Sequence, residues 1–205
     1  MGITIPKNLK KYPKENNPTF IFLARLNKQK GIFDAIEVFN RIKNYNSGIK
    51  NARFWIVGLG KKNIVNEIKN LVKKYRLKND VKFFGFVTEI KKYELLGKAH
   101  ILLIPSIHEG WGLTVAEAAT QKTPSITYNV PGLSDISKQS LSSIILSKNT
   151  PLEMANTSVK IIKNKKLYEK LQELGQKQTT KMTWDKTAES ALEIIKKTYE
   201  KSKTT

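Results

Sequence analysis

The chain of 205 residues has no cysteine, two histidines and four arginines. The absence of cysteine excludes disulfide bonds, thiolate metal sites and a cysteine nucleophile. The longest apolar runs, such as residues 101–104, fall far short of the ~20 residues that a membrane-spanning helix needs. The N-terminal residues also lack the apolar stretch of a signal peptide. We therefore expect a soluble, cytoplasmic protein.

Acidic residues are also scarce: the chain has 37 Lys and Arg but only 17 Asp and Glu, which gives a net charge of +20. Such a surplus attracts nucleic acid or an anionic membrane surface. However, 33 of the basic residues are lysines spread along the chain, and no RNP-type, finger or helix-turn-helix pattern occurs. Composition thus favours a solvated lysine surface over a specific nucleic-acid interface, with peripheral contact to the cytoplasmic face of a membrane left open.

Six apolar segments rich in β-favouring residues alternate with segments of helical period. Their near-continuous apolarity is typical of parallel strands that helices cover on both faces. We therefore predict an α/β, Rossmann-like six-stranded parallel sheet flanked by helices over 19–205, with a helical C-terminal part over 151–200. In that part we expect Trp184 to be a core aromatic in preference to an anchor of the terminal helix. Residues 1–18 are predicted as an extended lead-in. The predicted strands are 19–24, 53–57, 81–84, 100–105, 124–128 and 142–146.

The loops that follow the predicted strands are rich in glycine. Parallel α/β sheets bind ligands beyond the carboxyl ends of their strands, where glycine lets the backbone approach a ligand closely. Seven of the 11 glycines fall at this edge, which predicts a binding edge for an anionic ligand. These glycines are Gly31, Gly58, Gly60, Gly85, Gly110, Gly112 and Gly132.

The stretch VGLGKKN at 57–63 is a partial dinucleotide fingerprint. Asn63 stands at the third glycine position of that motif. The acid that should end the next strand is also missing, since Asp80 precedes the strand instead. The sequence therefore disfavours a nicotinamide dehydrogenase.

The segment IPSIHEGWGLTVAEAA at 104–119 contains a tight turn that leads into a helix. Gly110, Trp111 and Gly112 form the turn, and a helix beginning near Leu113 would leave the amides of Leu113 and Thr114 as free donors. A helix N-terminus of this kind binds phosphate. We therefore predict a phosphate cradle here.

Two cations and two carboxylates surround this predicted cradle. Arg25 and Lys30 follow the first strand and can close the cradle from the neighbouring loop. Glu109 and Glu117 flank the turn; because phosphate repels carboxylates, their partners would be hydroxyl groups. The pattern predicts a phosphorylated sugar or nucleotide-sugar as ligand. A solvated loop charge for Glu109, and a helix N-terminal acid for Glu117, are equally open.

Together these motifs resemble the C-terminal, donor-binding domain of the group 1 (family 4) retaining glycosyltransferases of GT-B fold. The spacing from Glu109 to Glu117 is similar to the E-x7-E signature of that family. The resemblance implies that the chain forms one half of a GT-B fold. It rests on LARLNKQKG (23–31), FWIVGLG (54–60), VKFFGFV (81–87), PSIHEGWGLTVAEAA (105–119) and PGLSDI (131–136).

The resemblance also implies roles at the site. Arg25 and Lys30 would hold the diphosphate of a UDP- or GDP-sugar and stabilise the leaving group, while Glu109 would lie near the transferred sugar. Glu117 would bind the ribose hydroxyls. The sugar and the phosphates would lie against the backbone of Gly110, Trp111, Gly112, Leu113 and Thr114. The nucleobase would meet the loop of Gly85, Phe86 and Val87, and Gly58 would also contact the donor.

The resemblance implies retaining transfer of a hexose to a glycan or lipid-linked acceptor, in polysaccharide or glycolipid biosynthesis, without a metal or any cofactor besides the donor. His108 is then a loop residue and no ligand. The acceptor-binding N-terminal domain would lie elsewhere, in cis beyond a linker at 1–18 or on a partner chain, so the chain alone is expected to be inactive. Lys122 and Pro131 depart from the family pattern and leave the sugar open.

Two alternatives remain at this point. The first is another enzyme of the same fold, a sugar-nucleotide epimerase or a phosphorylase. The second is a non-catalytic subunit that binds a nucleotide-sugar. The side chains around the sugar distinguish the first of these from a glycosyltransferase.

Overall fold

A computed structural model describes residues 2–4, 6, 9–44, 49–140, 142–179 and 182–203, with 137–140 described by their backbone only. Six parallel strands form one sheet in the order β3-β2-β1-β4-β5-β6. The prediction of a six-stranded parallel sheet is confirmed. The strands are β1 (Thr19–Leu23), β2 (Arg53–Val57), β3 (Val81–Gly85), β4 (Ile101–Ile104), β5 (Ser125–Thr127) and β6 (Ser143–Ile145).

Helices connect the strands and cover both faces of the sheet. A short 3-10 turn over Lys28–Lys30 follows β1. The α-helices are α1 (Ile32–Asn44), α2 (Lys62–Lys74), α3 (Glu89–Lys98), α4 (Leu113–Thr120), α5 (Leu133–Ser140), α6 (Pro151–Lys163), α7 (Lys165–Thr179) and α8 (Trp184–Lys203).

Alternate residues of β1 point into two separate hydrophobic cores. Phe20 and Phe22 pack with α1, where Phe39 stacks on Phe54 with ring centroids 5.2 Å apart. Ile21 lies in the core on the opposite face, among apolar residues of α3 and α4. Both faces of the sheet are therefore buried, as the continuous apolar runs predict.

The strand order reverses between β1 and β4. From β1 the chain adds β2 and β3 on one side and then crosses to β4 on the other. A crevice forms where neighbouring strands send their connections in opposite directions, and in open α/β sheets ligands bind there. The loops after β1 and β4 are therefore the elements that position the site.

The described part of the lead-in packs on the domain instead of standing free. Ile3 is buried, and its amide donates to the carbonyl of Met182 at 2.9 Å. The amide of Glu15 donates to the carbonyl of Lys98 at 3.0 Å. The division of the chain at residue 18 stays a prediction.

The terminal helix α8 contains no buried residue among those described. The apolar side chains of this helix share one face at three- and four-residue spacing, and that face is exposed; its residues are Ala188, Ala191, Leu192 and Ile195. The expectation that Trp184 is a core aromatic is wrong, because its side chain is 53% exposed and its indole N–H donates to Thr4 Oγ1 at 3.1 Å. Periodicity reveals an apolar helix face, but it does not reveal what covers that face.

The described helices include none that is both long enough and apolar enough to cross a membrane.

Candidate functional site: the edge between β1 and β4

Lys30 and Glu109 meet across the two loops of the switch point. Asn27 caps the 3-10 turn by accepting the amide of Lys30 on its side-chain oxygen at 2.9 Å. Lys30 Nζ then lies 2.7 Å from Glu109 Oε2 and 3.4 Å from the carbonyl oxygen of His108. Both side chains of the ion pair are mostly buried, at 18% and 19% exposure. The structure thus brings one predicted cation to the two residues that precede the predicted turn.

Backbone contacts fix the distance between these two loops. The amide of Ile107 donates to the carbonyl of Gln29 at 2.9 Å. Gly31 has a φ of +72°, and a Cβ placed there would lie 1.9 Å from the carbonyl oxygen of Pro105. Glycine is therefore required where the loop after β1 touches the end of β4.

The helix after the turn begins at Leu113, as predicted. Gly112 precedes it with a φ of +79°, and Leu113 at the first helical position is 46% exposed. The first amides of a helix have no partner within it and carry the positive end of the helix dipole. The amides of Leu113 and Thr114 therefore form an anion-accepting surface at this edge.

A cavity of about 720 Å³ lies beside the loop after β1. Arg25, Gly58 and Phe86 line it, so three predicted nucleotide-binding residues share one space. Phe86 is 78% exposed, whereas Val87 of the same loop packs against the core. Gly85 takes a φ of +64° with open space beside it. The loop therefore presents one aromatic ring to the cavity and anchors itself through the next residue.

Glu117 of α4 forms an ion pair with a lysine of the neighbouring helix α3. Lys92 of α3 places its Nζ 2.8 Å from Glu117 Oε1 and also pairs with Glu89 at 2.8 Å. Burial opposes protonation of Lys92, but hydrogen bonds to Glu117 and Glu89 outweigh it and raise the pKa of Lys92. The sequence analysis missed Lys92, since no local pattern marks one lysine among 33.

The arrangement combines an exposed guanidinium and a helix N-terminus with carboxylates that are paired to lysines. Arg25 and the start of α4 supply donors for an anion, and Lys30 becomes available wherever a ligand displaces Glu109. Among the residues that the structure describes, no three His, Cys, Asp or Glu side chains come together as metal ligands. The edge is suited to binding a polyanion that also carries hydroxyl groups.

A parallel sheet in this order, with helices on both faces and a helix N-terminus at its switch point, defines a Rossmann-like α/β fold. The sequence agrees with a family of this architecture, described as glycosyl transferases group 1, whose model matches residues 4–178. The chain therefore belongs to the group 1 glycosyltransferases.

Individual relatives support the same assignment. An uncharacterized glycosyltransferase of Methanocaldococcus jannaschii is 25% identical over 184 residues, which are 89% of this chain and 46% of that relative. HepE of Anabaena, solved with UDP and glucose, superposes with a TM-score of 0.78 at 17% identity over 89% of this chain and 49% of that one. The chain thus spans about half the length of these proteins.

One of the solved neighbours is itself an isolated C-terminal domain. The C-terminal domain of LpcC, a group 1 family glycosyl transferase of Francisella tularensis, has a TM-score of 0.72 at 21% identity. The match covers 84% of this chain and 96% of that domain. The fold is therefore that of GT-B glycosyltransferases.

Proposed function

We propose that this chain is the C-terminal, donor-binding half of a hexosyltransferase that uses a UDP- or GDP-sugar. One observation supports the proposal most: Lys30, Glu109 and the start of α4 converge at the switch point of the sheet. Here a diphosphate meets an ammonium group and free helix amides at the same time. In this proposal Arg25 contacts the diphosphate from the cavity side.

The positions of the base, the ribose and the hexose follow from this placement of the diphosphate. The base occupies the cavity lined by Gly58 and Phe86, where the exposed ring of Phe86 stacks on it. The ribose hydroxyls donate to Glu117. The hexose lies against the turn at Gly110, which has open space beside it, and next to Glu109.

Binding of the donor rearranges the ion pair in the site. As the diphosphate approaches, Lys30 exchanges Glu109 for a phosphate oxygen, and Glu109 becomes free to accept a sugar hydroxyl. Arg25 and Lys30 then stabilise the negative charge that develops on the leaving nucleoside diphosphate. Transfer retains the anomeric configuration in this proposal.

The acceptor binds to a domain outside this chain, either in cis or on a partner. The chain spans 46% to 49% of the relatives named above, so the proposal leaves about half of the enzyme to provide that domain. The chain alone is expected to bind a donor nucleotide and to transfer no sugar to an acceptor.

Isothermal titration with UDP, GDP and AMP tests the proposal. We expect the wild-type chain to bind UDP or GDP in preference to AMP. Arg25→Ala should weaken that binding by about tenfold or more, because a guanidinium–phosphate contact is a charge-assisted hydrogen bond. Lys30→Ala should weaken it similarly.

Two matched variants provide the controls. Arg76→Ala removes an exposed arginine that precedes β3 at the opposite edge of the sheet, and Lys28→Ala removes an exposed lysine of the same 3-10 turn as Lys30. Both should bind nucleotide as the wild type does. Equal losses in the control and site variants would point to nonspecific charge attraction, and an absence of nucleotide binding by the wild type would refute the proposal.

A further inference from the structure

Lys92 of α3 holds Glu117 of α4 across the junction of two helices. Its Nζ lies 2.8 Å from Glu117 Oε1, and the two side chains are only 13% and 17% exposed. The second partner of Lys92, Glu89, is 71% exposed and lies one helical turn away. The contact with Glu117 is therefore the enclosed one, formed between residues 25 positions apart.

The neighbouring lysine shows what an ordinary surface pair looks like in the same helix. Lys91 pairs with Glu94 within α3 at 2.9 Å, and its side chain is 43% exposed. Exposed pairs of this kind contribute little to stability or geometry, because water competes for both charges. An enclosed pair fixes the orientation of its carboxylate much more strongly.

Lys92 contacts one oxygen of Glu117, Oε1, through a single charge-assisted hydrogen bond. Within the described chain, this arrangement leaves Oε2 as an acceptor with a defined direction. A carboxylate near a diphosphate would otherwise rotate away from it or weaken its binding, because like charges repel. An ammonium group at 2.8 Å offsets that charge.

We propose that Lys92 is a positioning residue that aims Glu117 at the ribose hydroxyls and so makes the site selective for ribonucleotides over deoxyribonucleotides. The inference rests on the proposed function, since it assumes that a nucleotide binds with its ribose at Glu117. Lys92 acts through Glu117 in this assignment. A site built to accept a hydroxyl group discriminates against an analogue that lacks it, because a buried acceptor is then left unpaired.

The test compares the affinities for UDP and 2′-deoxy-UDP, and for GDP and 2′-deoxy-GDP, by titration calorimetry. We expect the wild type to prefer the ribonucleotide. Lys92→Met should reduce the ratio of the two affinities by about threefold or more, since Glu117 loses its fixed orientation. Lys92→Arg, which keeps the positive charge and a donor, should restore most of the ratio.

Lys91→Met is the matched control on the same helix and should leave the ratio at the wild-type value. In a Glu117→Gln background, Lys92→Met should change the ratio no further, because both substitutions act on one carboxylate. If Lys92→Met does not fold, as judged by its thermal melting curve, Lys92→Gln serves as the second variant.

The possible results distinguish a failure of the positioning role of Lys92 from a failure of the proposed function. Equal weakening of ribo- and deoxyribonucleotides by Lys92→Met would overturn the positioning role and leave the nucleotide site intact. A wild type that binds the ribonucleotide and the 2′-deoxyribonucleotide with equal affinity would also overturn the positioning role. A wild type that binds no nucleotide would overturn the proposed function itself, and this inference with it.

Discussion

Gly31→Ala is expected to cost on the order of 3 kcal/mol or more of unfolding free energy and to abolish nucleotide binding. The added Cβ would lie 1.9 Å from the carbonyl oxygen of Pro105 and 2.6 Å from its carbonyl carbon. These are backbone atoms at the end of β4 and cannot turn aside as a flexible side chain would. The φ of +72° adds strain, because side chains disfavour this conformation.

Gly31→Ala should disrupt the candidate binding site as well as lower the unfolding free energy. The clash pushes the loop after β1 away from the loop after β4 and so separates Lys30 from Glu109, which now lie 2.7 Å apart. Urea denaturation measures the first effect and titration with UDP or GDP the second.

Gly110→Ala provides the comparison for Gly31→Ala. Apart from Gly110 itself and its two chain neighbours, no atom of the described residues lies within 4 Å of a Cβ built at Gly110. This variant should keep the wild-type unfolding free energy but weaken binding if the hexose lies against the turn. A Gly31→Ala protein as stable as the wild type would contradict the account of the two loops.

Lys14, a largely buried lysine at the opposite edge of the sheet, is expected to make the unfolding free energy depend on pH. Its Nζ donates to the carbonyl of Ala99 and to Thr123 Oγ1, both at 2.6 Å. Within the described chain no carboxylate forms an ion pair with it. Burial therefore lowers the pKa of Lys14 from 10.5 to about 7.

The sign of the effect on stability follows from proton linkage. Above pH 7 the folded chain releases the proton of Lys14, whereas the unfolded chain keeps it until about pH 10.5. The unfolded state then binds more protons, so unfolding free energy rises with pH. We expect a rise of at most about 1.4 kcal/mol per pH unit over this window.

Titration of His100 should also make the unfolding free energy rise with pH, in the acidic range. Its Nδ1 accepts the amide of Thr19 at 3.0 Å, which requires an unprotonated nitrogen there. Burial, together with the charge of Lys14, lowers the pKa of His100 from 6.5 to about 4. Stability should therefore also rise with pH between about 4 and 6.5, where only the unfolded state binds this proton.

Urea denaturation at several pH values between about 7.5 and 9.5 measures the contribution of Lys14, below the range in which tyrosines titrate. Lys14→Met should remove the rise of unfolding free energy with pH. Lys11→Met, which replaces an exposed neighbour, should keep that rise. An unchanged slope in Lys14→Met would show that Lys14 is not the titrating group.

The sequence predicts the sheet well because its strands are nearly continuous apolar segments. Every predicted strand overlaps an observed one, and the glycines around Trp111 predict the start of α4 at Leu113. Both features are local: a run of apolar residues or a glycine before a helix is visible without knowledge of the rest of the chain.

The features that sequence reasoning missed depend on contacts between distant segments. Lys92 and Glu117 are 25 positions apart, and Lys14 lies 85 positions from its acceptor Ala99. In a chain with 33 lysines, no local pattern separates a buried lysine from a solvated one. Trp184 shows the opposite error, since a large aromatic suggests a core position and is exposed here.

A crystal structure of the chain with UDP or GDP bound tests the central claim most directly. The account predicts that the diphosphate lies within hydrogen-bonding distance of the amides of Leu113 and Thr114, with Arg25 and Lys30 as its side-chain partners. It also predicts that the ribose hydroxyls contact Glu117. A nucleotide bound at another edge of the sheet, with Lys30 still paired to Glu109, would contradict it.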